Sequence, residues 1–405
     1  MQPVLISLVV VSLTAAAAPP AGPKRIGTLV APMDKASEPM VLKVEGFVND
    51  ALREFPSWSV KTTDDLFGVA LDDDAVVGLK RADALYAESK TLFGAHKGEE
   101  GEKKLRATVK EYTKAASALK TCGNLCDATA MLAATLIARG DTEEAKFVLL
   151  DLTSLGGPEL DRKRFSQDVF TLKAQVSASR NAQLRGSLTV KSKPAGGRVY
   201  VNGEFQGFTP ATVQTLPNGK TLIRVDRPGF KQAGAVVDVG PEEQEFTLEL
   251  AATPTFKTFD GQLDRLATEA IKDKGGATMA GVGKSLGLDR AIIAVLREND
   301  GENEIALGYY ELKSGKRLGF KRSTFHGDEY GQIRGEVGRM VTWLLNNAEG
   351  GGYDETVSRT SSDPLDRKSG SEEWNAEDKG GRTTAKDKTK KKGDPLEGVQ
   401  GTEDW

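Results

Sequence analysis

Gly283-Lys284-Ser285-Leu286-Gly287 is the run whose spelling comes nearest to a reactive motif, matching G-x-S-x-G. A nucleophile elbow needs a buried strand before the serine and a helix after it. Here Thr278–Val282 continues a helical pattern and a strand follows, so Ser285 is not expected to be a nucleophile. The same run falls short of a phosphate loop, because Thr278 stands where that loop needs a glycine five residues before Gly283. Asp72-Asp73-Asp74 could ligate a metal, but three carboxylates just ahead of a helical pattern are better read as a cap facing free N–H groups and the positive end of the helix dipole. The two histidines, His96 and His326, lie far in sequence from the two cysteines, Cys122 and Cys126, which argues against a mixed metal site. The C-x₃-C pair has two readings. It forms a local disulfide if the chain turns at Gly123-Asn124, or it is two small buried residues one turn apart on a helix. No dinucleotide fingerprint or paired Cys/His nucleophile is present. The expectation is a protein without catalytic residues, cofactor or metal.

The pattern that does invite a function is a repeat. Residues 363–374 read DPLDRKSGSEEW and residues 394–405 read DPLEGVQGTEDW. Both copies begin Asp-Pro-Leu, carry Gly eighth and a hydroxyl residue ninth, and end on an acidic pair and Trp. They lie in a stretch from 350 to 405 that has lost all periodicity and is rich in Gly, Ser, Thr, Asp, Glu and Lys, the composition of a disordered tail. A tryptophan in such a tail calls for something that buries it. Each copy reads as a partner-binding linear motif, made of Asp363, Pro364, Leu365 and Trp374 in the first and Asp394, Pro395, Leu396 and Trp405 in the second. Two copies on one tether raise avidity for a repeated partner. The alternative is a local duplication retained without function. The lysine cluster 386–392 either keeps the tail solvated or touches an anionic polymer.

The elements ahead of the tail follow from apolar periodicity. RIGTLVAP, residues 25–32, reads as a buried strand; Val41, Val44, Val48, Leu52 and Phe55 form a helical stripe; Trp58–Thr62 reads as a second strand. From Ala75 to about Ala182 the pattern is helical. Within it, Arg139-Gly140-Asp141 spells an adhesion tripeptide but falls at an inter-helix turn, where turn chemistry explains it. Phe256–Ile271 and Ala277–Leu286 read as helices, Arg290–Leu296 as a strand, Glu304–Leu312 and Lys316–Thr324 as a hairpin, and Tyr330–Asn346 as a closing helix.

Between these lies a different pattern, from Gly186 to Leu250. Alternation at Leu188/Val190, Val199/Val201 and around Leu222 marks short strands. Asn202-Gly203, Pro217-Asn218-Gly219 and Arg227-Pro228-Gly229 supply turns, Asn-Gly being the strongest hairpin signal. Six or so strands in such a stretch make a small antiparallel β-sandwich. It resembles a PEGA domain. The matching residues are Gly186, Leu188, Val190, Ser192, Pro194, Val199-Tyr200-Val201-Asn202-Gly203, Gly207-Phe208-Thr209-Pro210, Gly219, Val225 and Gly229-Phe230, and the naming motif is spelled here Pro194-Ala195-Gly196-Gly197, without the glutamate. That resemblance implies a non-catalytic module of an envelope protein.

Two weaker resemblances accompany it. ARGDTEEAKFVLLDL, residues 138–152, resembles the second half of a tetratricopeptide repeat, though no clean repeat period is present. The opening β-α-β, with KSLGLDRAIIAVL and ALGYYELKSGKRL, resembles a TolB amino-terminal-type α/β domain. The first and last parts could be halves of one α/β domain into which the rest is inserted, or two separate small domains.

The fold class expected is therefore multidomain α+β. A signal peptide at 1–17 is followed by an α/β half-domain at 24–74 and an all-α, repeat-like array at 75–183. The β-sandwich at 186–250, a second α/β half-domain at 255–348 and the disordered tail at 350–405 complete it. The leader rests on the apolar run Val4–Leu13 followed by Thr14-Ala15-Ala16-Ala17, although Met1-Gln2-Pro3 carries no basic residue. Beyond it no apolar run is long enough to span a membrane. Fifty-five basic and 58 acidic residues leave a formal charge of −3, which gives no pull towards nucleic acid. The expected role is an exported envelope adaptor whose tail binds envelope proteins. A structural protein holding a cell-wall or surface polymer is the second reading, and an envelope enzyme or enzyme regulator the third.

Overall fold

The computed structural model describes residues 23–181, 185–272, 276–299, 302–326 and 330–348. The expected leader and both tail motifs lie outside the described residues. The described residues form a mixed α+β structure with three sheets.

The first sheet is built around β1 (Lys24–Pro32), whose apolar run is buried on both faces, as a central parallel strand requires. β1 connects through α1 (Val41–Leu52) to β2 (Trp58–Lys61), which pairs parallel to it with Lys24 opposite Trp58 and Gly27 opposite Lys61. On its other side β1 pairs parallel with β10 (Arg290–Asn299), from Ile26 opposite Arg290 to Pro32 opposite Leu296. The segments read as two α/β portions thus meet side by side. The antiparallel strands β11 (Glu302–Glu311) and β12 (Lys316–His326) complete the order β12-β11-β10-β1-β2. Alternation sorts the side chains. Ile26, Val30, Ile292 and Leu296 pack with Val44, Val48 and Leu52 of α1 and with Val337, Val341 and Leu344 of α10 (Tyr330–Ala348). Leu29, Ala291, Ile293 and Val295 face the opposite way, onto Leu266 and Ala270 of α8 (Pro254–Ile271) and Met279 and Val282 of α9 (Ala277–Leu286).

After β2 comes the short α2 (Thr63–Phe67), started by a capping box in which Thr62 and Asp65 satisfy each other's backbone N–H groups. Five longer helices follow, α3 (Asp73–Gly94), α4 (Gly98–Lys114), α5 (Gly123–Arg139), α6 (Thr142–Ser154) and α7 (Gln167–Asn181). The Asp72 carboxylate accepts from the Ala75 N–H at 3.2 Å, the capping role expected of the aspartate run. Gly140 takes the left-handed conformation at the end of α5, and Asp141 N–H returns to the Leu136 carbonyl at 2.9 Å. Tyr112, Leu125, Leu136, Ala145, Leu149 and Leu172 form the core between these helices.

The remaining strands are β3 (Gly186–Lys193), β4 (Arg198–Val201), β5 (Glu204–Phe208), β6 (Ala211–Leu216), β7 (Gly219–Asp226), β8 (Ala233–Val239) and β9 (Glu243–Glu249). They make two facing sheets, β6-β3-β9 and β5-β4-β7-β8. Asn202 and Gly203, both with positive φ, turn β4 into β5. The expectation of a wholly antiparallel sandwich is corrected at one pairing: β3 and β9 run parallel, from Ser187 opposite Glu243 to Lys193 opposite Glu249. Parallel and antiparallel strands share the same side-chain period, so alternation could not distinguish them. The five strands between provide the long crossover that a parallel pair requires.

This module is held on two flanks. Towards the helices, Leu222 joins their core, Asn202 Nδ2 donates to the Ser154 carbonyl at 3.0 Å, and Ser154 Oγ donates to the Asn218 carbonyl at 2.9 Å. Towards the first sheet, Gly229 N–H donates to the Gly68 carbonyl at 2.6 Å, and Gln232 N–H to the Ala70 carbonyl at 2.7 Å. Arg198 grips Asp64 of α2 with two bonds of 2.8 Å while its Nε donates to Asp226 at 2.6 Å. Asp226, 5% exposed, also accepts from Arg224 at 2.8 Å. Removing the buried carboxylate leaves Arg224 without an anionic partner and Arg198 with Asp64 alone, so Asp226→Ala should cost about 3–5 kcal/mol in urea unfolding, with Asp226→Asn intermediate. A loss below about 1 kcal/mol would show that this cluster does not hold the module in place.

Candidate functional site

The register of the first sheet leaves a gap. β2 pairs with β1 only as far as Gly27, whereas β10 follows β1 to Pro32. On the β2 side, Thr28 to Pro32 therefore have no strand neighbour among the described residues. The gap lies beyond the carboxyl end of β2, the position at which parallel sheets hold ligands. Helix α1 and Thr63 wall it on one side, the module's Pro194, Arg227 and Phe230 on a second, and α8 on a third. Between them is a cavity of about 260 Å³.

Its floor is aromatic. Phe67 meets Phe256 edge-on at 5.2 Å between ring centroids and Phe259 at 4.9 Å, and Phe230 lies 4.8 Å from Phe256. Gly229, with φ +84°, lets the module's loop approach this cluster, since a Cβ there would stand 2.2 Å from the Phe256 ring. Two buried charged residues face the apolar floor. Glu45, 6% exposed, accepts from Thr63 N–H at 2.8 Å and from Asn49 Nδ2 at 3.2 Å; Asn49 in turn accepts from the Thr28 hydroxyl at 2.7 Å. Burial pushes the Glu45 carboxyl above its usual range, reinforced by the Asp64 charge and opposed by the Thr63 and Asn49 bonds. Arg227, 8% exposed, donates from Nη1 to the Ala195 carbonyl at 2.5 Å and lies 5.2 Å from the centre of the Phe230 ring. No carboxylate of the described residues pairs directly with it. Burial draws its pKa down, while the charges of Glu38, Asp260 and Glu45 act in the opposite direction.

A second, more open groove of about 360 Å³ lies between α6 and α7. Phe147 stands 70% exposed there, and Arg180 has Nε and Nη1 buried without a hydrogen-bond partner among the described residues.

The residues singled out from the sequence fall elsewhere. Cys122 and Cys126 are joined as a disulfide at the start of α5, where Gly123 turns the chain, and both are buried. Asp363, Pro364, Leu365, Trp374, Asp394, Pro395, Leu396 and Trp405 lie outside the described residues. Ser285 sits in the last turn of α9, its hydroxyl donating to the Val282 carbonyl at 3.0 Å, in no elbow. Arg139 of the adhesion-like tripeptide pairs with Asp141 and with Glu102. Among the described residues no group of three or more His, Cys, Asp or Glu gathers in a way that could hold a metal ion, and no helix is long and apolar enough to cross a membrane.

Sequence reasoning passed over both cavity charges. In the sequence Arg227 reads only as part of the turn Arg227-Pro228-Gly229. Glu45 carried a usable signal, since it falls on the stripe of Val41, Val44 and Val48, where an acid must be buried or the stripe broken.

The raised pKa of Glu45 has a definite consequence. A carboxyl whose folded pKa exceeds its unfolded value contributes stability at low pH that is lost as pH rises through the folded pKa. Glu45→Gln keeps an acceptor for Thr63 and removes that penalty. Its melting temperature should exceed the wild type's at pH 7, and the gap should close as pH falls below about 4.5. An unchanged gap across that range would contradict the assignment.

Compared with known proteins, the chain matches no curated sequence. Residues 185–254, the seven-stranded module that contributes Pro194, Arg227 and Phe230 to the cavity wall, match the family model of the PEGA domain.

Proposed function

We propose that the protein is a non-enzymatic, exported cell-envelope adaptor, with the PEGA module as its rigid centre and the tail as its recruiting arm. The observation that carries this reading is the way the module is held. Hydrogen bonds, ion pairs and shared apolar cores tie it to the helices on one flank and to the five-stranded sheet on the other. A module bound on two flanks keeps the surfaces around it in a fixed relation, as a scaffold requires. PEGA domains are typical of exported proteins, in keeping with the apolar leader. In this reading the tetratricopeptide-like helices and the TolB-like α/β portions present the outer surfaces, and the DPL…W copies capture a partner.

The tail is where the proposal is tested. A peptide spanning 350–405, immobilised and incubated with a solubilised envelope fraction, should retain a defined set of proteins. Trp374→Ala together with Trp405→Ala should abolish retention, and either change alone should weaken it by about tenfold or more, because bivalency multiplies affinity. Retention that survives the double change overturns the adaptor reading. If no protein is retained and the full chain instead cosediments with purified cell wall, losing this when 351–405 is deleted, the polymer-binding reading takes its place.

A further inference from the structure

We propose that the cavity between β1, α8 and the PEGA module binds a small zwitterion with an apolar side chain, an apolar amino acid or a dipeptide. The site is internal to the described residues and independent of the tail, so it stands or falls separately from the adaptor role.

The charges decide the class of ligand. Arg227 is more than nine-tenths buried, and with one donor on Ala195 it has further N–H groups to place and no carboxylate partner among the described residues. Buried charge without a partner is costly, and a ligand carboxylate would supply what the protein does not. A purely anionic ligand is opposed, however, by the carboxylates that share the cavity wall, Glu38, Glu45 and Asp260. A purely cationic ligand would suit those and leave Arg227 unpaired. A molecule carrying both charges satisfies both sets.

The shape decides the rest. Phe67, Phe256 and Phe259 form an apolar floor large enough for one aliphatic or aromatic side chain. The flank of β1 from Thr28 to Pro32, without a strand beside it among the described residues, offers main-chain donors and acceptors to a peptide-like backbone, as in recognition by strand addition. At about 260 Å³ the space lies just under the range of drug-sized sites, and against about 30 Å³ per water it is room for roughly nine. A dipeptide is the upper limit.

The test is titration calorimetry on the full chain. L-phenylalanine and L-leucyl-L-phenylalanine are the probes; 2-phenylethylamine and 3-phenylpropionate, each lacking one charge, are the controls. At least one zwitterion should bind with a Kd of about 1 mM or tighter, and each control should bind at least about tenfold more weakly. Leu263→Trp, which fills the cavity from α8, should abolish binding while circular dichroism and melting show a folded chain. Arg227→Gln should weaken the zwitterion and leave 2-phenylethylamine undiminished or tighter. Should that variant fail to fold, the controls and Leu263→Trp decide. The proposal is overturned if neither zwitterion binds below about 10 mM, if a singly charged control binds as tightly, or if folded Leu263→Trp binds undiminished.

Discussion

Asp226 sits at the end of β7, buried, with the guanidiniums of Arg198 and Arg224 both turned onto it. Arg198 is shared with Asp64 on α2, so one carboxylate fixes a strand of the β module and, through a second ion pair, the helix that follows β2. The next residue is Arg227, and three residues past Asp64 is Phe67. The module's wall of the cavity and its aromatic floor are thus registered against each other by this one cluster. A cluster so placed ties up four charged residues and, among the described residues, leaves Arg224 Nε without a hydrogen-bond partner. Its effect is positional: it sets where the loop from Arg227 to Phe230 meets α8, and so sets the depth of the aromatic floor.

The sheet imposes the complementary constraint. β1 is central, yet its parallel neighbours come from opposite ends of the chain, and Asp289 closes the pairing by accepting from the Arg25 N–H at 2.8 Å. Everything from α2 to α9 must leave this sheet and return to it. The β module is drawn back against the sheet by the lacing of Gly68 and Ala70 to Gly229, Phe230 and Gln232, and against the helices by Leu222, Asn202 and Ser154. The cavity is what remains where β2 stops short and the returning chain cannot fill the space.

Local signals were legible wherever a local rule governs. The apolar run of β1, the cap at Asp72, the Asn202-Gly203 turn and the left-handed Gly140 each follow from a few neighbouring residues, and each is found where its pattern places it. The direction of β9 was not, because strand direction is set by what lies across the sheet and leaves no mark in alternation. Arg227 was hidden for a related reason. In sequence it belongs to a turn, and only the approach of α8 and α1, distant in the chain, turns that position into an interior. Glu45 fell between these cases: its position on an apolar stripe was visible, its partners Thr63 and Asn49 only partly so.

The pairing of β1 with β10 also orders events in time. The strand synthesised first cannot take its central place until a strand made 264 positions later has emerged, as the Arg25–Asp289 contact measures. At roughly 5–20 residues per second of synthesis that is a wait on the order of 10 to 50 s. The helices between α3 and α7 pack chiefly on their sequential neighbours and close short loops, so they can condense during that interval. The sheet, and with it the cavity, cannot be completed until β10 has emerged, and until then the β10 edge of β1 remains open to any other extended chain.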